Sequence, residues 1–203
     1  MTLRRPRRGR AAASALLALV LAGTLAACAN DPLADQYRSG DNKGYIAGDF
    51  RVVEIAAPDR GEPVEFTGIT EAGDEVSSVD YADEVLVVNF WYAACGPCRA
   101  EAPELEDAYA EFADDAVSFL GINTQDSAAV ASAFAETYGV TYPSALAADD
   151  GALKLAFADK TPINATPTTL VLDGEGRVAA RIIGQLPDAS VLTALVRDTL
   201  AEQ

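Results

Sequence analysis

The clearest hydrophobic pattern in this 203-residue chain is an unbroken apolar run, "VLVVNFW" (residues 85–91), set between Asp-Glu and a Gly-Pro turn. A run of that length rich in valine predicts a strand buried on both faces. Residues 97–112 then read as a helix with Leu105, Ala108 and Phe112 facing the sheet. Pro103 lies inside that helix and is expected to kink or restart it. "VSFLGINT" predicts the next strand, and Ser127–Tyr138 the next helix, ended by Gly139. "TTLVLD" and "VAARIIG" predict two strands joined through "GEG". The closing "DASVLTALVRDTLAEQ" predicts an amphipathic helix with Val191, Leu192, Leu195, Val196 and Leu200 as its apolar stripe. Ahead of this core, short strands are expected near 51–55 and 63–67, with a turn at "EAGDE". The order β-α-β-α-β-β-α implies a mixed sheet with helices on both faces.

The amino-terminal stretch follows a different pattern. Five arginines within the first ten residues precede an apolar run of 12 residues, Ala11 to Ala22, which is short for a membrane span. A basic head, an apolar middle and a small-residue exit predict an export signal over residues 1–27. Residues 29–45 are polar, rich in Gly and Asp, and without periodicity. With Cys28 they predict a flexible tether over 28–45, leaving 46–203 as one domain. Removal of the signal would leave ten basic residues against 31 acidic ones, a net charge of −21. Such a chain is repelled by nucleic-acid phosphates and by anionic lipid headgroups, so no nucleic-acid partner is expected.

The chemistry narrows quickly. The chain has no histidine and three cysteines, which excludes Ser-His-Asp and Cys-His catalysis and a Cys₄ zinc site. No metal site and no cofactor is expected. What remains is Cys95-Gly96-Pro97-Cys98, at the end of a buried strand and the start of a helix. Unpaired N–H groups and the positive end of the helix dipole favour a thiolate there. Pro97 fits the first helical turn, and an offset of three brings Cys98 back beneath Cys95. The pair suits cycling, with Cys95 as nucleophile and Cys98 as resolving thiol. A purely structural disulfide would close a loop too short to restrain much of the unfolded chain.

"FWYAACGPCRAEAPEL" resembles the active-site segment of the thioredoxin superfamily. Its continuation, with Glu101, Pro103 and Leu105, is similar to the exported, membrane-tethered TlpA/ResA-like branch. "LAAC", ending at Cys28, resembles a bacterial lipobox, which implies lipidation of Cys28 and a lipid-anchored protein on the extracytoplasmic face of the cell membrane. The resemblance implies an α/β thioredoxin-like fold with a central mixed β-sheet flanked by helices, and an N-terminal β-hairpin extension. It makes Pro167 a cis-proline packed against the redox pair and Thr166 a site of backbone pairing with a client. It adds Trp91, Gly96 and Pro97 as active-site support, and aligns Gly184 with the family's glycine after the last strand. It implies a protein-disulfide oxidoreductase that reduces client disulfides, such as those of apocytochrome c during cytochrome c maturation. Its partners would be exported clients and an integral membrane thiol-electron transporter. An oxidant, a general disulfide-repair reductase, and a non-catalytic or metal-delivering binding module remain as alternatives.

Three positions depart from the family pattern. Asn89 stands where thioredoxin has a buried aspartate, and an amide cannot take the resolving thiol's proton. Glu101 is a candidate acceptor in its place, although as a helix residue it is expected to be exposed. Ala94 replaces a tryptophan common before the motif, so the surface beside Cys95 is expected to be smaller and more open. Thr166 replaces a small or apolar residue, adding a hydroxyl that could tune Cys95.

Overall fold

The computed structural model describes residues 51–162 and 165–203. The expected signal, the tether, the lipidation site at Cys28 and the domain's first residues, 46–50, lie outside them. In chain order the elements are β1 (Arg51–Glu54), β2 (Thr67–Ile69), β3 (Glu75–Ser77), β4 (Val85–Trp91), α1 (Gly96–Glu111), β5 (Val117–Asn123), α2 (Ala128–Tyr138), β6 (Ser144–Leu146), α3 (Gly151–Ala156), β7 (Thr168–Leu172), β8 (Val178–Ile183) and α4 (Ala189–Leu200).

Among the described residues six strands form one sheet in the order β1-β8-β7-β4-β5-β6, and β2 and β3 form a separate hairpin. β4 pairs in parallel with β5 and antiparallel with β7, so the sheet is mixed. All seven β4 residues are buried. Their alternation sorts two cores. Leu86, Val88 and Phe90 pack with Leu153, Phe157, the hairpin residue Val76 and Phe66 just ahead of β2. Val85 and Val87 pack with Leu105 and Ala108 of α1, with Phe112 just after it, and with Leu192, Leu195 and Val196 of α4. A strand buried on both faces must be apolar throughout, which is why this run stands out in the sequence.

The thioredoxin-like architecture and the hairpin extension are as expected. Local details differ. The second early strand begins at Thr67 and not at 63, because Val64 and Phe66 instead insert into the core. α1 runs through Pro103 without restarting. A helix tolerates an interior proline when the contacts of its buried face outweigh the one lost hydrogen bond. Strand β6 and helix α3, between α2 and β7, were not expected. Asp150 caps α3, its carboxylate accepting from the Ala152 and Leu153 N–H groups. Gly139 ends α2 in the left-handed conformation at φ 73°, the role read for it.

Candidate active site

Cys95 is the N-cap of α1, reached by a short turn, residues 92–94, from the buried strand β4. Its Sγ accepts the Cys98 N–H at 3.1 Å and is joined to Cys98 Sγ in a disulfide at 2.06 Å. The sulfur therefore occupies the place a Ser or Asp oxygen takes at a helix start, where donors and dipole stabilise negative charge. Pro97 lies in the first turn, where no donor is missed. Ala94 is itself exposed, but Cys95 is 0% exposed and Cys98 2%.

The Thr166–Pro167 peptide is cis, and both residues are buried. Gly184 holds this turn, donating its N–H to the Pro167 carbonyl at 3.0 Å from a backbone φ of 93°. That positive φ is open to glycine and strained for other residues. Trp91 packs in one buried cluster with Cys95, Cys98, Ala102, Ala131 and Phe134. Asp126, a residue the sequence reading passed over, accepts the Ala93 N–H at 2.6 Å and the Asn123 side chain at 2.9 Å. It fixes the turn that leads into Cys95.

The main correction concerns Glu101. It is 1% exposed, not on the solvent side of α1. Asn89 shares the β4 face of Val85 and Val87, the face α1 covers, so the two side chains meet there. Asn89 Nδ2 donates to Glu101 Oε1 at 2.9 Å and to Thr169 Oγ1 at 3.1 Å. Glu101 Oε2 accepts the Leu186 N–H at 2.8 Å. Burial pushes the Glu101 carboxyl up to about 8, against the lowering pull of the Leu186 and Asn89 hydrogen bonds. The signal was present in the spacing: residues 101, 105, 108 and 112 recur at helical intervals, so the buried stripe begins at the glutamate. Burial also raises the Tyr142 hydroxyl, with Glu101 and Glu106 adding to the shift.

The helix-capping sulfur is bonded to its partner one turn on, the cis-proline turn leads into β7, which pairs with β4, and a buried carboxyl one turn beyond Cys98 on α1 can hold a proton near neutral pH. Among the described residues no group of three or more His, Cys, Asp or Glu is placed to hold a metal ion. No helix among them is long and apolar enough to cross a membrane.

The chain is similar to several known proteins. The Redoxin family profile matches residues 53–196. The thiol-disulfide oxidoreductase ResA of Oceanobacillus iheyensis is 30% identical over 176 residues, 85% of this chain and 80% of that protein. ResA of Bacillus subtilis is 26% identical over 119 residues, a match that spans 59% of this chain and 64% of that protein, less than two thirds of its length. Among solved structures, a DsbF homologue from Corynebacterium diphtheriae superposes with a TM-score of 0.64 at 30% identity. That match covers 75% of this chain and 94% of the other. A secreted thiol-disulfide isomerase from Corynebacterium glutamicum gives 0.67 at 25% identity, covering 74% and 92%.

Proposed function

The chain belongs to the Redoxin family, among the ResA-like thiol-disulfide oxidoreductases of the thioredoxin superfamily, and on that premise we propose that it exchanges disulfides with exported proteins outside the cytoplasm. One observation carries the reading: Cys95 caps α1 and is disulfide-bonded to Cys98 one turn along the same helix. In the reducing direction, the Cys95 thiolate attacks a client disulfide, forms a mixed disulfide and releases one client thiolate. Cys98 then gives up its proton and attacks Cys95 Sγ, which releases the second client thiolate and leaves Cys95–Cys98 oxidised. Two electrons pass to the client at each turn.

Glu101 is the proposed acceptor of the Cys98 proton. In the disulfide form its carboxyl rises to about 8, so it keeps that proton at neutral pH until the pair is reduced again. Asn89 cannot accept a proton, but by holding Glu101 Oε1 it orients the group that can. Trp91, Gly96, Pro97, Thr166 and Pro167 shape the surroundings of the pair. Oxidised chain must be reduced again by a thiol donor, and a membrane thiol-electron transporter fits that need. The proposed clients are exported proteins whose cysteines must be free, apocytochrome c among them. Cys28 is proposed as the lipid anchor and 28–45 as the tether.

Insulin reduction driven by dithiothreitol tests the exchange reaction, with loss of turnover expected for Cys95→Ser. For the client, incubation with an oxidised peptide carrying a CxxCH sequence should yield free thiols in step with oxidation of Cys95–Cys98. A pair that the peptide leaves reduced would remove the cytochrome c reading and leave general exchange standing.

A further inference from the structure

Trp91 is the chain's single tryptophan and is held on two sides. Its ring packs on Phe134 with centroids 4.2 Å apart and the planes tilted by 35°, and its Nε1–H donates to Ser144 Oγ at 3.2 Å. Ser144 opens β6 and is itself clamped by the loop that joins β2 to β3. Glu71 Oε2 accepts the Ser144 N–H at 2.8 Å, and the Glu71 N–H donates to the Ser144 carbonyl at 3.0 Å. Thr70 forms an antiparallel bridge with Ala145 beside them. Gly121, opposite Ser144 in β5, leaves the space this bond needs. A Cβ there would lie 2.2 Å from Ser144 Oγ and 2.8 Å from Trp91 Nε1. Segments far apart in sequence therefore converge on one buried indole N–H.

We infer that Ser144 and Glu71 are positioning residues for the redox centre: through Ser144 the hairpin extension fixes the Trp91 ring against the Cys95–Cys98 disulfide and biases the balance of its two redox forms. The inference rests on the reading of that pair as redox-active. Trp91 shares a close-packed cluster with both sulfurs, and the closed disulfide and the open dithiol fill that space differently. A ring locked in the position that fits the closed disulfide favours the oxidised form, and a ring released from Ser144 favours it less.

The test uses the full chain with Ser144→Ala. One tryptophan yields one indole cross-peak in a ¹H–¹⁵N spectrum, so the bond has its own signal. The expected result is a displaced cross-peak with faster hydrogen exchange. With it comes a shift of the glutathione equilibrium toward the dithiol by about threefold, or about 14 mV at 29.6 mV per tenfold. Ser144→Thr, which keeps the hydroxyl, should restore both. Glu71→Ala should move both in the same direction by less, while Glu71→Gln, which keeps an acceptor, should move neither. These two variants decide the matter if Ser144→Ala does not fold. An unmoved cross-peak, or a moved cross-peak with an unchanged equilibrium, overturns the inference while leaving wild-type exchange intact. A wild-type pair that does not equilibrate with glutathione at all defeats the redox reading itself, and the cross-peak still reports the bond.

Discussion

Two buried carboxyls lie in different parts of this molecule and are treated in opposite ways. Asp173, at the end of β7, accepts from Arg60 at 3.0 Å and from Arg177 at 3.0 and 2.9 Å. Burial works to raise its carboxyl, yet the Arg177 backbone N–H and the two guanidinium groups together hold it below the usual range. Arg60 also pairs with Glu202 and donates to the Ile55 carbonyl, so the cluster ties the segment after β1 to the β7–β8 turn and the carboxyl terminus. Glu101, one turn beyond Cys98 on α1, has amide donors and, among the described residues, no cation, and burial raises its carboxyl to about 8. A buried acid with cations is a permanent charge that clamps structure. A buried acid given only neutral donors can hold or release a proton near pH 7.

The comparison can be broken at either end. Asp173→Ala leaves Arg60 buried without its main partner and is expected to cost about 3 kcal/mol of stability. Disulfide exchange by the folded fraction should be unchanged. Denaturant unfolding and insulin reduction on the same sample check both halves. Glu101→Gln should do the reverse, keeping the fold while slowing closure of the Cys95–Cys98 disulfide by about ten- to a hundredfold at neutral pH. Stopped-flow measurement of the resolving step reads that rate, and a pH profile that keeps its limb near 8 in the variant would sink the acceptor role.

Stability against pH sharpens the contrast. Folded Glu101 binds its proton more tightly than its ordinary value of 4.5 allows, so its stabilising contribution is complete below about 4.5 and is lost as pH rises through about 8. Asp173 behaves oppositely: its contribution is present above its ordinary value of 3.8 and is lost as pH falls through its lower folded value. Glu101→Gln should remove only the decline between about 4.5 and 8, as thermal melts across pH 4 to 9 would reveal. The smallest effect expected is that of Asn89→Ala. Loss of its lowering hydrogen bond should move the Glu101 limb to higher pH and cost about 1 kcal/mol.

Much of the active site was legible because its signals are local. The buried strand at 85–91, the Cys-Gly-Pro-Cys spacing and the helix that follows occupy consecutive residues. Glu101 was misplaced because a charged side chain on a helix is exposed by default, and that rule outweighed its place at the head of the 101-105-108-112 stripe. β6 is three residues long and α3 six, too short for periodicity to declare itself. The Arg60–Asp173 pair spans 113 residues and the Trp91–Ser144 bond 53, so only the folded register brings them together.

The central claim is that Cys95 attacks and Cys98 resolves. Mass spectrometry of a Cys98→Ser variant, mixed with a disulfide-bonded client and quenched in acid, tests it most directly. A stable adduct joined through Cys95, with none formed by Cys95→Ser, is the predicted result. An adduct on Cys98 in the Cys95→Ser variant, formed as readily as any on Cys95, would contradict it.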